Sequence, residues 1–192
     1  MELADDELEI AAALAALPVA ERDFAATLSG SRRRELIAGR TAIHQILDGD
    51  HAVLSNDRGA PIVPVGYSGS ISHKLTRAAA LLASAEHGHV GVDLERKAPT
   101  KLDIASRILT PNEVRVAGAE LLRVFAIKEA IYKAIDPMVR RYVGFQEVEL
   151  VVGEAGRVDV HIVDASKLPV VIEAWWTELE SHWLATARAR CR

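Results

Sequence analysis

At 192 residues with a net charge of -4 and a single cysteine, Cys191, the chain is sized for one domain or two small lobes sharing a core. The acidic balance excludes nucleic acid as the main partner, and one cysteine excludes an internal disulfide or a cysteine metal cluster. The start carries no basic leader and no apolar run reaches membrane-spanning length, so no membrane partner and a cytoplasmic location are expected.

Residues 5–17, rich in Ala, Leu and Glu, predict a helix that Pro18 breaks, with a second over 20–28. Ser29-Gly30-Ser31 offers cap chemistry for a third running to Leu47, whose Leu36, Ile43 and Leu47 keep core spacing. Its first turns hold Arg32, Arg33 and Arg34, with Arg40 two turns on, a local basic stretch in an acidic chain. A strand is expected at 52–55, a glycine- and proline-bearing loop over 56–69 and a strand at 70–73. Residues 78–85 favour helix by composition, but the turn residues 86–89 and the alternating 90–95 that follow argue for a strand and its returning partner, a hairpin.

Beyond Lys97 the character changes. A short helix is predicted over 102–109, and Thr110-Pro111-Asn112-Glu113 reads as the start of another. The strongest helical pattern covers 120–135, with Val124, Ile127, Ile131, Ala134 and Ile135 on one face and Pro137 as its stop. Glu129 and Lys133 lie on the opposite side, one turn apart. Strands are expected at 145–152, 157–163, 170–176 and 182–188.

Two segments carry the chemistry. In Gly91-Val92-Asp93-Leu94-Glu95, strand alternation puts Asp93 and Glu95 on one face. In Phe125-Ala126-Ile127-Lys128-Glu129-Ala130-Ile131-Tyr132-Lys133, a helix adds Glu129 and an ammonium. Magnesium prefers hard oxygen donors. Three carboxylates converging without a cation would repel by roughly 4 kcal/mol per pair at about 4 Å in a dielectric near 20. Taken alone, Asp93 and Glu95 also suit the wet face of an edge strand, and Glu129–Lys133 an ordinary surface pair. There is no G-x-S-x-G elbow and no glycine-rich phosphate loop.

Order and spacing join these signals. The chain from about residue 31 onward resembles the 4'-phosphopantetheinyl transferases, in particular the larger, monomeric type that serves siderophore, polyketide and nonribosomal peptide synthetases, in its enterobactin-synthase-like branch. Gly91 to Glu95 is similar to that family's G-[VI]-D-x-E motif, and Phe125 to Lys133 to its [WF]-x-x-K-E-[AS]-x-x-K motif, with phenylalanine where tryptophan is common. Arg32 to Arg40, Asp57-Arg58-Gly59-Ala60-Pro61 and Gly69-Ser70-Ile71-Ser72-His73 resemble its basic helix, central loop and strand; Lys74 stands where a small residue is frequent. The resemblance implies transfer of the phosphopantetheine arm of coenzyme A to a serine of an apo carrier protein, with release of 3',5'-ADP. Asp93, Glu95 and Glu129 would bind Mg2+, and Glu129 would also serve as base. Lys133, with Lys128, would hold phosphates. Arg32, Arg40, Arg58, Ser72 and His73 would contact coenzyme A. Carrier proteins of fatty acid, polyketide or nonribosomal peptide synthases would be the partners, and arginines 140 and 141 could help to dock them. The implied fold is α+β, a pseudo-dimer of two similar lobes (1–97 and 98–192), each an antiparallel sheet with packed helices, with coenzyme A in the cleft. The alternative is a non-catalytic coenzyme A- or nucleotide-binding subunit of a synthase assembly.

Overall fold

A computed structural model describes residues 1, 6–98, 104–114, 120–166 and 168–192. The expected helix start at residue 5 and that of the short helix at 102 lie outside these residues. The chain forms two compact units, Met1–Glu86 and His87–Arg192.

The first unit opens with α1 (Glu7–Ala16), where the Asp6 side chain caps the Leu8 amide at 3.0 Å. Leu17 is extended, as a residue before proline must be, and Pro18 leads into α2 (Val19–Ala26). α3 (Gly30–His44) follows; Ser29 stands at its N-cap but makes no side-chain cap bond. The helix buries Ile37, Ala38, Gly39, Arg40, Ala42 and Ile43, while Leu36 is only half-buried. It ends before Leu47, which still packs with Ile43 and Val53. β1 (Tyr67–Lys74) and β2 (Arg77–Ser84) form an antiparallel hairpin in the register Ser72↔Ala79. Where a strand was expected at 52–55, there is one isolated bridge, Ser55↔Pro61.

In the second unit the antiparallel order is β3-β7-β6-β5-β4, from β3 (His89–Arg96), β4 (Val148–Val152), β5 (Arg157–Ile162), β6 (Val170–Glu178) and β7 (His182–Cys191). Ahead of β4, 145–147 forms a 3-10 turn rather than strand. α4 (Ala105–Ile108) is short, and α5 (Leu121–Val139) lies on the sheet. Val124, Ile127, Ile131, Ala134 and Ile135 are all buried, as their spacing predicts. Pro137 does not stop α5. It sits in the last turn, and the helix closes at Arg140 in the left-handed conformation, φ 45°.

The hairpin expected between residues 78–85 and 90–95 does not form. β2 pairs with β1, and β3 pairs with β7 (Asp93↔Ala185, Glu95↔Trp183). Gly88 shows the physical reason: at φ 100°, a Cβ there would stand 2.3 Å from the Ala189 carbonyl oxygen. The glycine serves a close approach to β7, not a reversal towards β2. The boundary expected after residue 97 therefore falls at 86/87, and the Gly91–Glu95 segment belongs to the second unit. Both units are helices packed on antiparallel strands, the α+β class expected, though their sheets have two and five strands. Among the described residues no helix is long and apolar enough to cross a membrane.

Candidate active site

β3 is buried on both faces, so its alternation does not mark a wet edge. Gly91, Asp93 and Glu95 share one face, and that face meets α5. A Cβ on Gly91 would lie 1.9 Å from the Ala130 carbonyl oxygen and 2.8 Å from the Ala134 nitrogen. The missing side chain lets helix backbone rest on strand backbone. One turn on, Lys133 Nζ donates to the Val92 carbonyl at 3.0 Å and to Asp93 Oδ1 at 2.8 Å. The two segments singled out by their sequences thus meet, and Glu129 and Lys133 do not point to the solvent side of the helix.

Asp93 and Glu95 are 6% and 8% exposed. Glu129 feels them both. Burial first, then the Asp93 carboxylate, and less strongly Glu95, push its proton affinity above the ordinary carboxylate range; Lys133 pulls it back. Beside Glu95, Trp183 stacks edge-on with Trp176 at 5.6 Å, and the Arg123 guanidinium lies 4.3 Å from the Trp176 ring. Among the described residues no group of three or more His, Cys, Asp or Glu side chains is placed so that it could hold a metal ion. In their chemistry the donors suit a hard divalent cation: Asp93, Glu95 and Glu129 offer carboxylate oxygens, Glu129 has its proton affinity raised first by burial and then by the other two, and the Lys133 ammonium is a partial counter-charge.

Lys128, expected beside Lys133 on a ligand, is placed otherwise. Its side chain is 2% exposed, and its ammonium donates to Glu113 Oε2 (2.7 Å) and to the carbonyls of Ile108 (2.8 Å), Phe145 and Val148 (2.9 Å each). One residue along a helix is a rotation of about 100°, enough to take Lys128 away from Glu129. In the structure its ammonium is engaged within the fold. Its partner Glu113 also closes the reciprocal cap that Thr110-x-x-Glu113 predicts (Thr110 N to Glu113 Oε2, 2.7 Å; Glu113 N to Thr110 Oγ1, 3.4 Å), but nothing local in the sequence ties it to Lys128.

The remaining candidates lie in the first unit. Arg32 and Arg58 are exposed. Arg40 is buried; its Nη2 donates to Ser55 Oγ at 3.0 Å, and its Nε has no hydrogen-bond partner among the described residues. Burial lowers its proton affinity and nearby Glu21 raises it. Ser72 and His73 point to opposite faces of β1: Ser72 is buried, and exposed His73 has Nδ1 3.8 Å from Glu35 Oε2. Sequence reading passed over Glu21, which is 1% exposed and accepts from the Val53 amide at 2.5 Å, with His44 Nε2 at 2.8 Å. A glutamate among ordinary helix residues gives no signal of such burial.

In this α+β chain a glycine seats a helix on a strand and brings Lys133 to Asp93, beside Glu129. The chain belongs to the 4'-phosphopantetheinyl transferase superfamily, whose description matches residues 89–187, just over half of it, while the 4'-phosphopantetheinyl transferase N-terminal domain matches residues 20–83. It is 30% identical over 142 residues to 4'-phosphopantetheinyl transferase Npt of Nocardia iowensis, covering 68% of this chain and 64% of that protein. It is likewise 30% identical over 146 residues to enterobactin synthase component D of Salmonella typhimurium, covering 70% and 61%. The chain spans about three-fifths of the length of the curated relatives it matches. Among solved structures, the holo-[acyl-carrier-protein] synthase of Helicobacter pylori in complex with coenzyme A is similar at TM-score 0.45 and 16% identity, covering 53% of this chain and 99% of that one.

Proposed function

We propose that this protein transfers the 4'-phosphopantetheine arm of coenzyme A to a serine of an apo carrier protein, releasing 3',5'-ADP. The observation that carries the reading is the Asp93–Lys133 contact at 2.8 Å, which joins the two motifs beside Glu129 and Glu95. Family membership and relatives named 4'-phosphopantetheinyl transferase and enterobactin synthase component D support it.

In this reading the serine Oγ attacks the phosphorus next to pantetheine. The bond from that phosphorus to the bridging oxygen breaks, and the electron pair leaves with 3',5'-ADP. The serine proton passes to Glu129, directly or through water. A carboxylate whose proton affinity is raised by burial is a stronger base than an exposed one. Asp93, Glu95 and Glu129 would hold Mg2+, which when bound offsets the charge growing on the leaving phosphate. Lys133 makes two hydrogen bonds within the chain and can offer its third N–H to a phosphate oxygen. Arg32, Arg40, Arg58, Ser72 and His73 are proposed as contacts for the nucleotide end of coenzyme A, with arginine supplying paired donors to phosphate. Action as a monomer in the cytoplasm, on carrier proteins of fatty acid, polyketide or nonribosomal peptide synthases, completes the reading.

The test is to incubate the protein with coenzyme A, MgCl2 and several apo carrier proteins and weigh the carriers. A phosphopantetheine mass gained on one of them is the expected result. No gain on any carrier, with coenzyme A still bound, would instead favour a non-catalytic binding subunit.

A further inference from the structure

We infer that Lys128 and Glu113 form a positioning pair that sets the rotational phase of α5, and through it the direction of Glu129. The kinetic consequence rests on the transferase reading; the structural one does not. Lys128 ties α5 to three separate segments: the end of α4 at Ile108, the turn at Phe145, and the start of β4 at Val148. Glu113 completes the knot. Its Oε2 takes Lys128 Nζ and the Thr110 amide, each at 2.7 Å, and its Oε1 takes the Leu150 amide of β4 at 2.8 Å. Both side chains are 2% exposed. Elsewhere on α5, Ala130 and Ala134 are held against β3 at Gly91. A helix fixed at two points off its axis cannot turn about that axis.

Stability alone does not call for this chemistry. An apolar pair of similar volume often holds a core as well as a buried ion pair. What an apolar pair lacks is direction: four oxygens sharing the three N–H donors of one ammonium define one place for Lys128, whereas a sliding hydrocarbon contact does not. Glu129 is the next residue, so its direction follows from that of Lys128. Lys128 is thus a positioning residue, with no contact to substrate.

Two variants test the pair. Glu113→Gln keeps the side-chain shape and one acceptor oxygen; Lys128→Met with Glu113→Gln removes both charges together, so that neither is left buried alone. Residual dipolar couplings of the α5 amides, recorded on the folded protein, report the orientation of the helix directly. The expected result is altered α5 couplings in the double variant and, to a smaller extent, in Glu113→Gln. In the carrier assay kcat should fall about tenfold or more while KM for coenzyme A stays within about twofold. Unchanged couplings in both variants would overturn the proposal. So would a raised KM with unchanged kcat, the signature of a direct ligand contact. If the wild-type protein modifies no carrier, the transferase reading fails, and the couplings alone decide the pair.

Discussion

Gly91 and Ala130 meet backbone to backbone: a Cβ on the glycine would intrude to 1.9 Å from the Ala130 carbonyl oxygen. The first residue of the acidic motif therefore needs no chemistry of its own to matter. Its lack of a side chain brings α5 down onto β3 and allows Lys133 to reach Asp93.

Gly91→Ala should accordingly be costly out of proportion to one methyl group. The obstructing atoms are main-chain, so no rotamer change relieves them. Overpacking of this kind costs about 2–3 kcal/mol, measurable as a lower urea midpoint. The variant should also lose carrier modification, because any relief lifts α5 away from the carboxylates.

A double-mutant cycle on Asp93→Asn and Lys133→Met should return a coupling energy of about 1–3 kcal/mol in urea unfolding. The side chains are only 9% and 28% exposed, so water substitutes poorly for either partner. A coupling indistinguishable from zero would mean that the contact does not persist in solution.

Glu129 makes stability depend on pH with a definite sign. Burial and the neighbouring carboxylates hold its folded-state proton affinity above that of the unfolded chain. The stabilising contribution is complete below the ordinary carboxylate range and is lost as pH rises through the folded-state titration. Glu129→Gln removes that loss, so its melting temperature should gain on the wild type as pH increases, while transfer activity disappears. MgCl2 at about 100 times its dissociation constant should stabilise the wild type at high pH by about 2.7 kcal/mol, and the variant much less.

Glu21→Leu should weaken the first unit strongly. It strips the Val53 amide and His44 of their acceptor and removes the charge that favours the buried Arg40. An unsatisfied buried amide alone costs about 1–3 kcal/mol. The loss is expected in urea unfolding and in hydrogen exchange at Val53.

Much of this was legible from local pattern. The apolar face of α5 and the strands near the C-terminus follow from periodicity, whereas the meeting of the two motifs was implied only by their resemblance to the family's pair, since periodicity puts Glu129 and Lys133 on the side of the helix away from its apolar face. Long-range partners were not legible. Residues 78–85 and 90–95 look like a hairpin because neighbouring strands usually pair, and nothing near Gly88 announces that its close contact is Ala189, about a hundred positions away. Lys128 misled through adjacency: beside Glu129 in sequence, it faces another way on the helix. Glu21 gave no warning, since burial of a carboxylate depends on amides and rings brought to it from distant segments.

The position of β3 has a consequence for how the gene can be cut. Because the strand bearing Asp93 and Glu95 folds with residues 87–192, a break between Glu86 and His87 leaves all three carboxylates and Lys133 on a single polypeptide. Division after residue 97 would sever the acidic strand from the helix that completes it. A two-piece version of this protein should therefore be joined at residue 86, with the basic helix on one piece and Asp93, Glu95, Glu129 and Lys133 together on the other.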